Sequence, residues 1–420
     1  MDETGACEKN IGNYIVWDLV NAIKANGYHD FSETLAFGYR NITQKYKKYR
    51  LAVNIFDNFY NRVTNIIRPS GVAGKILFND GGRYASLAKN LKKTCPVVKT
   101  VMGKKDRISA VIGRSEYFPV NEEVSLIDDY FLAGDESRLR DLVSQLTLRL
   151  EKLAPRCVVL AGDFLPIDRA MVRAAKNNGI PSIIIQHGTF QSAEVFPEGK
   201  YADHILVWGQ FFKEMYMTKT GKLAGAVHIL GYPHPIKPEN YRDSKKRIAV
   251  YYLGQNFEKY DKSLLAIKLE TLKDLNKVCQ RLDMEFIYRP HPGDDIKLLR
   301  AGLPEIRFSP ENETLSEGIE KGDVFISFNS TALIGAGIRS KITLQLFNYP
   351  VTSDNYEKIG ACSRTFDNIG QVENYLETIS KNPQSIDKEK RGVSRYYAES
   401  GLYPEQRFLK ILKDIEKNKP

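Results

Sequence analysis

From residue 75 onward, short unbroken apolar runs alternate with longer amphipathic stretches. The runs include Ile76-Leu77-Phe78, Cys157-Val158-Val159-Leu160, Ile183-Ile184-Ile185, Ile205-Leu206-Val207 and Val227-His228-Ile229-Leu230. They resume with Ile248-Ala249-Val250-Tyr251-Tyr252-Leu253, Phe286-Ile287-Tyr288, Val324-Phe325-Ile326 and Thr343-Leu344-Gln345-Leu346-Phe347. Strands that are apolar on both faces belong to parallel sheets covered by helices. The intervening stretches carry helical spacing over 139–153, 168–178, 264–281 and 405–417, and Gly179 is placed to end the second of them. The pattern predicts an α/β protein with two doubly wound parallel domains.

The first part of the chain reads differently. Ile15, Leu19, Ala22 and Ile23 recur at helical spacing, and 49–67 is aromatic and amphipathic. This predicts a helical N-terminal extension over 1–70 that covers a sheet edge or contacts an acceptor or a membrane. The stretch 233–246 is rich in proline and charge and reads as a linker. The chain has 420 residues, more than one ordinary core holds. The expected division is a first domain over 71–235, a second over 236–400 and a closing helix over 401–420. A cleft between two such domains is a favoured ligand site.

Composition narrows the class. With 42% hydrophobic and 27% charged residues the chain reads as globular, and no apolar run approaches the roughly 18 residues that span a bilayer. The opening Met1-Asp2-Glu3-Thr4-Gly5 is acidic with no apolar core, which predicts a cytoplasmic protein. The five cysteines are scattered without a C-x-x-C, so they are expected to be reduced packing residues rather than a disulfide framework or zinc site. The net charge of +10 is spread over clusters such as Lys45, Lys47, Lys48 and Arg50, Lys104-Lys105, and Lys245-Lys246-Arg247. Singly these are solvated surface; jointly they suit a peripheral contact with an anionic inner-membrane face. No recognised nucleic-acid motif is present, so nucleic acid is not an expected partner.

The candidate chemistry sits where apolar strands end. Arg289-Pro290-His291-Pro292 follows a strand. The flanking prolines hold His291 in extended geometry, Arg289 can pair with a phosphate, and an imidazole there can donate to a leaving phosphate. The alternative is a rigid surface turn. Asn329-Ser330-Thr331 ends another strand just before a helix, where hydroxyls either cap the helix or help its N-terminus hold an anion. In the first domain, Gln186-His187-Gly188 ends a strand, with His187 either facing the cleft or bonded within the core. Asp163 follows a strand and a glycine and is the candidate general base or nucleophile, with an N-cap as its alternative. Glu194 and Glu198 are rival carboxylates. Asp80 and Arg83, in the first strand-to-helix turn, are placed for acceptor contact together with Gln186 and Glu194. The G-x-G-x-x-G and P-loop spacings are absent, and no D-x-D stands at a strand end, so neither a cofactor nor a divalent metal is expected.

These motifs resemble those of a family group. Arg289-Pro290-His291-Pro292 resembles the HP motif of bacterial sialyltransferases, Kdo transferases and capsule polysaccharide enzymes. Ser330-Thr331 resembles their serine/threonine motif, and Gln186-His187-Gly188 resembles a strand-end motif of capsule synthesis proteins and CDP-glycerol glycerophosphotransferases. The resemblance covers 155–347 in motif order. It implies a GT-B fold with two Rossmann-like domains, the nucleotide bound mainly by the second. It implies that His291 contacts the donor phosphate and assists its departure, and that Ser330 and Thr331 bind that phosphate. Asp163 departs from the sialyltransferase Asp/Glu-Asp-Gly pattern, since the chain reads Ala161-Gly162-Asp163-Phe164. The implied function is metal-independent transfer of a 2-keto acid sugar such as Kdo, from a CMP-linked donor, onto a glycan or glycolipid acceptor of a bacterial surface polysaccharide. The alternatives are glycerophosphate transfer from CDP-glycerol, and a UDP-sugar transferase or UDP-N-acetylglucosamine 2-epimerase-like enzyme.

Overall fold

The computed structural model describes residues 50–67, 74–79, 83–101, 104–112, 116–120, 123, 126–127, 130, 135–163, 166–186, 188, 199, 201–234, 247–259, 261–350, 353–382, 393–399 and 403–418. Helix α1 (Arg50–Ile67) precedes β1 (Ile76–Asn79), α2 (Ala85–Leu91), β2 (Val97–Val101), α3 (Lys104–Ile112) and β3 (Tyr117–Pro119). Then come α4 (Glu136–Leu153), β4 (Cys157–Leu160), α5 (Pro166–Asn177), β5 (Ser182–Ile185), β6 (His204–Val207), α6 (Gln210–Thr220) and β7 (Val227–Ile229). The second half holds β8 (Ala249–Leu253), α7 (Leu264–Arg281), β9 (Glu285–Arg289), α8 (Ile296–Gly302), β10 (Arg307–Phe308), α9 (Leu315–Lys321) and β11 (Val324–Ser327). It ends with α10 (Thr331–Ile338), β12 (Ile342–Leu346), β13 (Arg364–Phe366), α11 (Ile369–Lys381) and α12 (Pro404–Lys417).

The strands form two wholly parallel sheets, ordered β3-β2-β1-β4-β5-β6-β7 and β10-β9-β8-β11-β12-β13. Each starts in the middle, winds out to one edge, and returns to the other side of its first strand. The reversal lies between β1 and β4 in one sheet and between β8 and β11 in the other. Beyond the carboxyl ends of the strands, such a reversal opens a crevice.

The central strands β4, β5, β8, β11 and β12 are buried at every position, which is why they read as continuous apolar runs. Sequence reading passed over β2, β3 and β13. β2 carries Lys99 and Thr100, and β3 and β13 are three-residue outer strands with partly exposed positions. Helix α5 ends as expected at Gly179, whose φ of +61° suits glycine. It begins two residues before the predicted start, because Pro166 is preset for the first turn.

Helix α1 covers the β3 edge. Asp57 accepts two bonds from Arg107 at 2.8 Å each and one from the Tyr117 hydroxyl at 2.7 Å, and Tyr60 stacks on Tyr117. Ile55, Phe56 and Phe59 of α1 are exposed. The rest of the expected N-terminal extension lies outside the described residues.

Helix α12 packs back on the first sheet. Its Phe408, Leu412 and Ile415 join Ile76, Phe78 and Leu87 in one buried cluster, and Glu416 takes a two-point contact from Arg156 at 2.7 Å. A second cluster spans the two halves, joining Trp208, Phe212 and Tyr232 to Leu333, Tyr356 and Tyr397. Phe212 meets Tyr397 edge-on with ring centroids 4.7 Å apart. Cys95, Cys157, Cys279 and Cys362 are buried and in no disulfide, and burial pushes the Cys279 thiol up to about 12. Among the described residues no helix is long and apolar enough to cross a membrane.

Candidate functional site

Three neighbouring strands of the second sheet, β9, β8 and β11, bring their carboxyl ends to one place. Gly254 follows β8 and passes so close to the β9 tip that a side chain does not fit. An added Cβ would lie 2.5 Å from the Tyr288 hydroxyl and 3.0 Å from both the Arg289 carbonyl oxygen and the His291 amide nitrogen. Gln255, next in the chain, grips Asn329 at the β11 tip. Its side-chain Nε2 donates to the Asn329 side-chain oxygen, and its side-chain Oε1 accepts from the Asn329 backbone N–H at 3.1 Å. The Tyr356 hydroxyl donates to the Asn329 carbonyl at 3.0 Å. His291, Asn329, Ser330 and Thr331 are therefore linked through Gly254-Gln255 along a single edge, at the sheet's reversal.

His291 sits in a tight turn. Its backbone N–H donates to Asp294 Oδ2 at 2.8 Å, and its Nδ1 accepts from the Gly293 N–H at 3.0 Å. An Nδ1 that accepts leaves the ring proton on Nε2, so the neutral imidazole offers an N–H donor on that nitrogen. The Ser330 hydroxyl accepts from the Ala332 N–H at 3.3 Å, so Ser330 caps α10. Thr331 is the first helical residue, where the backbone amide has no acceptor within the helix.

The first domain meets this edge at Gly188. A Cβ added there would lie 3.6 Å from the Thr331 Oγ1. The carboxyl end of β5 thus lies against the start of α10. Tyr84 supports this corner by donating to the Ile185 carbonyl at 2.5 Å.

Several residues do other work than expected. Asp163 is fully buried. Its carboxylate accepts from the Gly199, Tyr201 and Ala202 amides at 2.7, 2.7 and 3.0 Å, and its carbonyl accepts from Arg169. That is a brace for the 199–202 segment and not a base presented to a gap. Nor is it the alternative N-cap, since α5 starts at Pro166. Gln186 is likewise internal. Its side chain donates to the Gly188 carbonyl at 2.9 Å and accepts from the Trp208 N–H at 3.0 Å, so it shapes the β5 end and does not face an acceptor. The Arg289 guanidinium turns to its own domain, donating to the Glu313 carbonyl at 3.1 Å and contacting the Glu313 carboxylate at 3.4 Å. Asn329 is held by Gln255, and Arg83 is exposed just before α2. His187, Asp80, Glu194 and Glu198 lie outside the described residues.

Sequence reading missed Gly254, Gln255, Lys268 and Asp294, which organise the edge. One signal was available: Lys268 falls on the buried face of α7 with Leu264, Leu272 and Leu275, a place where a lysine needs a reason.

No protein-family model and no curated protein matches the chain. Solved structures do. UDP-GlcNAc 2-epimerase from Neisseria meningitidis, solved with UDP-GlcNAc bound, superimposes with a TM-score of 0.56 at 15% identity, covering 81% of this chain and all of that one. A putative UDP-N-acetylglucosamine 2-epimerase from Listeria monocytogenes gives 0.56 at 14% identity over 83% of this chain and 99% of that one. MurG of Acinetobacter baumannii gives 0.51 at 14% identity, covering 81% and 99%. The chain has the GT-B architecture. The two Rossmann-like domains and their facing strand ends are those of that fold.

Proposed function

We propose that this protein acts on a nucleotide-activated sugar bound between the two domains, and transfers the sugar to a glycan or glycolipid acceptor. The observation that carries this reading is the convergence of the His291 turn, the α10 N-terminus and Gly188 on one interdomain corner. The donor phosphate sits at the start of α10, held by the Thr331 amide and hydroxyl. The His291 Nε2–H donates to the phosphate oxygen that takes the electron pair when the bond to the anomeric carbon breaks. His187 and Glu194 are the sequence-based candidates for accepting the proton of the incoming hydroxyl, since Asp163 is committed elsewhere.

The nucleotide in this proposal is UDP. The CMP-linked Kdo donor implied by motif resemblance gains no support from the fold comparisons, whereas the Neisseria neighbour was solved with UDP-GlcNAc bound. The reaction needs no metal in this scheme, and the chain works peripherally at an anionic membrane face. A second reading, epimerisation of a UDP-sugar without an acceptor, is supported by the similarity to epimerases, whose TM-scores of 0.56 and 0.52 stand beside 0.51 for MurG.

The test is incubation of the purified chain with UDP-, CMP- and CDP-linked donors, with and without chelator, followed by chromatography. Acceptor-dependent release of UDP that chelator leaves unchanged fits transfer. Consumption of a UDP-sugar with no acceptor present fits epimerisation. Turnover of CMP-linked donors alone would return the reading to the sialyltransferase-like group.

A further inference from the structure

Beneath the proposed phosphate site lies a lysine with almost no access to water. Lys268, one turn into α7, has a side chain 1% exposed. Its Nζ donates to the Gln255 carbonyl at 2.8 Å, to Glu258 Oε1 at 2.7 Å and to Asp294 Oδ1 at 2.9 Å. All three ammonium protons have acceptors. The other oxygen of Asp294 accepts from the His291 N–H at 2.8 Å and the Tyr288 hydroxyl at 2.6 Å. The Asp294 carboxyl is itself fully buried.

These contacts form one chain of bonds. It runs from the His291 turn through Asp294 to Lys268, from Lys268 to Gln255, and from Gln255 to Asn329 immediately before the α10 cap. The two elements proposed to grip the phosphate come from different strands, and beyond the strand ladders this network ties them together. A buried charge costs several kcal/mol unless its partners are well placed, by the general estimate for ion pairs removed from water. If the lysine served stability alone, an apolar side chain at this position of α7 would serve as well. What the ion cluster adds is fixed geometry in two loops that carry no regular structure of their own.

We infer that Lys268 and Asp294 are positioning residues, setting the His291 ring relative to the α10 N-terminus; the inference rests on the proposed function above. Neither side chain touches the donor. They act by holding the backbone of the residues that do.

The test uses the full-length chain and three variants. Lys268→Met/Glu258→Gln removes the lysine and one carboxylate together, which keeps the cluster's charge balance. Asp294→Asn removes the anion that anchors His291. Lys268→Arg is the conservative control. UDP affinity is measured by calorimetry at a temperature where circular dichroism shows every variant folded. The first two variants are expected to bind at least tenfold more weakly, with Lys268→Arg recovering part of the loss. In parallel, the His291 ring signals in a nitrogen-correlated NMR spectrum are expected to move in Asp294→Asn, while those of His204 and His228 in the far corner of the first domain stay in place. Unchanged affinity in the folded double variant, or an unmoved His291 signal in Asp294→Asn, would overturn the inference. If the unmodified chain binds no UDP, the proposed function fails, while the NMR comparison still decides whether Asp294 positions His291.

Discussion

Gly188 and Thr331 belong to different sheets, yet a single carbon added to Gly188 would come to rest 3.6 Å from the Thr331 hydroxyl oxygen. That separation is ordinary van der Waals contact, so the corner admits a methyl, while a longer side chain would extend into the space that the proposal gives to the donor. Gly188→Ala is therefore expected to fold and turn over normally. Gly188→Leu should fill the corner and lower turnover at least tenfold, with a melting temperature close to that of the parent. Equal rates for the two variants would show that no substrate occupies this corner.

His291→Ala separates catalysis from folding. General acid assistance is commonly worth about 100-fold or more in rate. The described bond of the His291 side chain is local, Nδ1 accepting from the Gly293 amide two residues on, and its loss is expected to change stability little. Steady-state kinetics beside a urea titration checks both halves. A rate within about twofold of the parent would remove His291 from the chemistry, since general acid catalysis predicts a far larger loss.

Asp163 makes the opposite case. Three amides, two of them in buried bonds, lose their acceptor in Asp163→Ala, and bonds to a charged group are worth about 1.5–3 kcal/mol each before non-additivity. A loss of about 3 kcal/mol in urea-unfolding free energy is expected, while UDP affinity of the folded fraction stays put. Full stability with abolished turnover would restore this carboxylate as the base.

Much of the fold could be read directly from the chain, because strands buried on both faces have no polar position to interrupt them. β4, β5, β8 and β11 announce themselves in this way, and α7 has the bounds its periodicity predicts. β2, next to the sheet's edge, and the edge strand β13 do not, since partly exposed Lys99, Thr100 and Arg364 interrupt the apolar run. For the candidate site, what was legible is the placement of His291 and Ser330-Thr331, which sit at strand ends in space as in the sequence. It was misread at Asp163, because a polar residue after a strand looks the same whether it faces a cleft or turns inward to hold the 199–202 segment. Gln255, and Asp294 in its bond to Lys268, went unseen because those bonds join distant residues, and spacing along the chain carries no trace of them.

A pH dependence follows from the far end of the first domain. His228 Nε2 and His204 Nδ1 lie 3.2 Å apart, and Lys213 and Asp414 act on His228 from α6 and α12. Burial first, and then the neighbouring His204 and Lys213, bring His228 from 6.5 down to about 4; Asp414 opposes them. The unfolded chain therefore takes up a proton in a range where the folded one does not. His228 favours the folded state fully above about pH 6.5, and that contribution is lost as pH falls from there towards about 4. Urea midpoints measured between pH 7 and pH 4 should decline less steeply in His228→Gln than in the parent. Identical slopes would mean that this histidine keeps its ordinary affinity for protons.

The most direct measurement is a crystal structure of the chain with a UDP-sugar bound. The phosphates are expected within hydrogen-bonding distance of the Thr331 amide and hydroxyl and of the His291 Nε2, in the corner faced by Gly188. A nucleotide bound elsewhere, with its phosphates out of reach of both Thr331 and His291, would contradict the account.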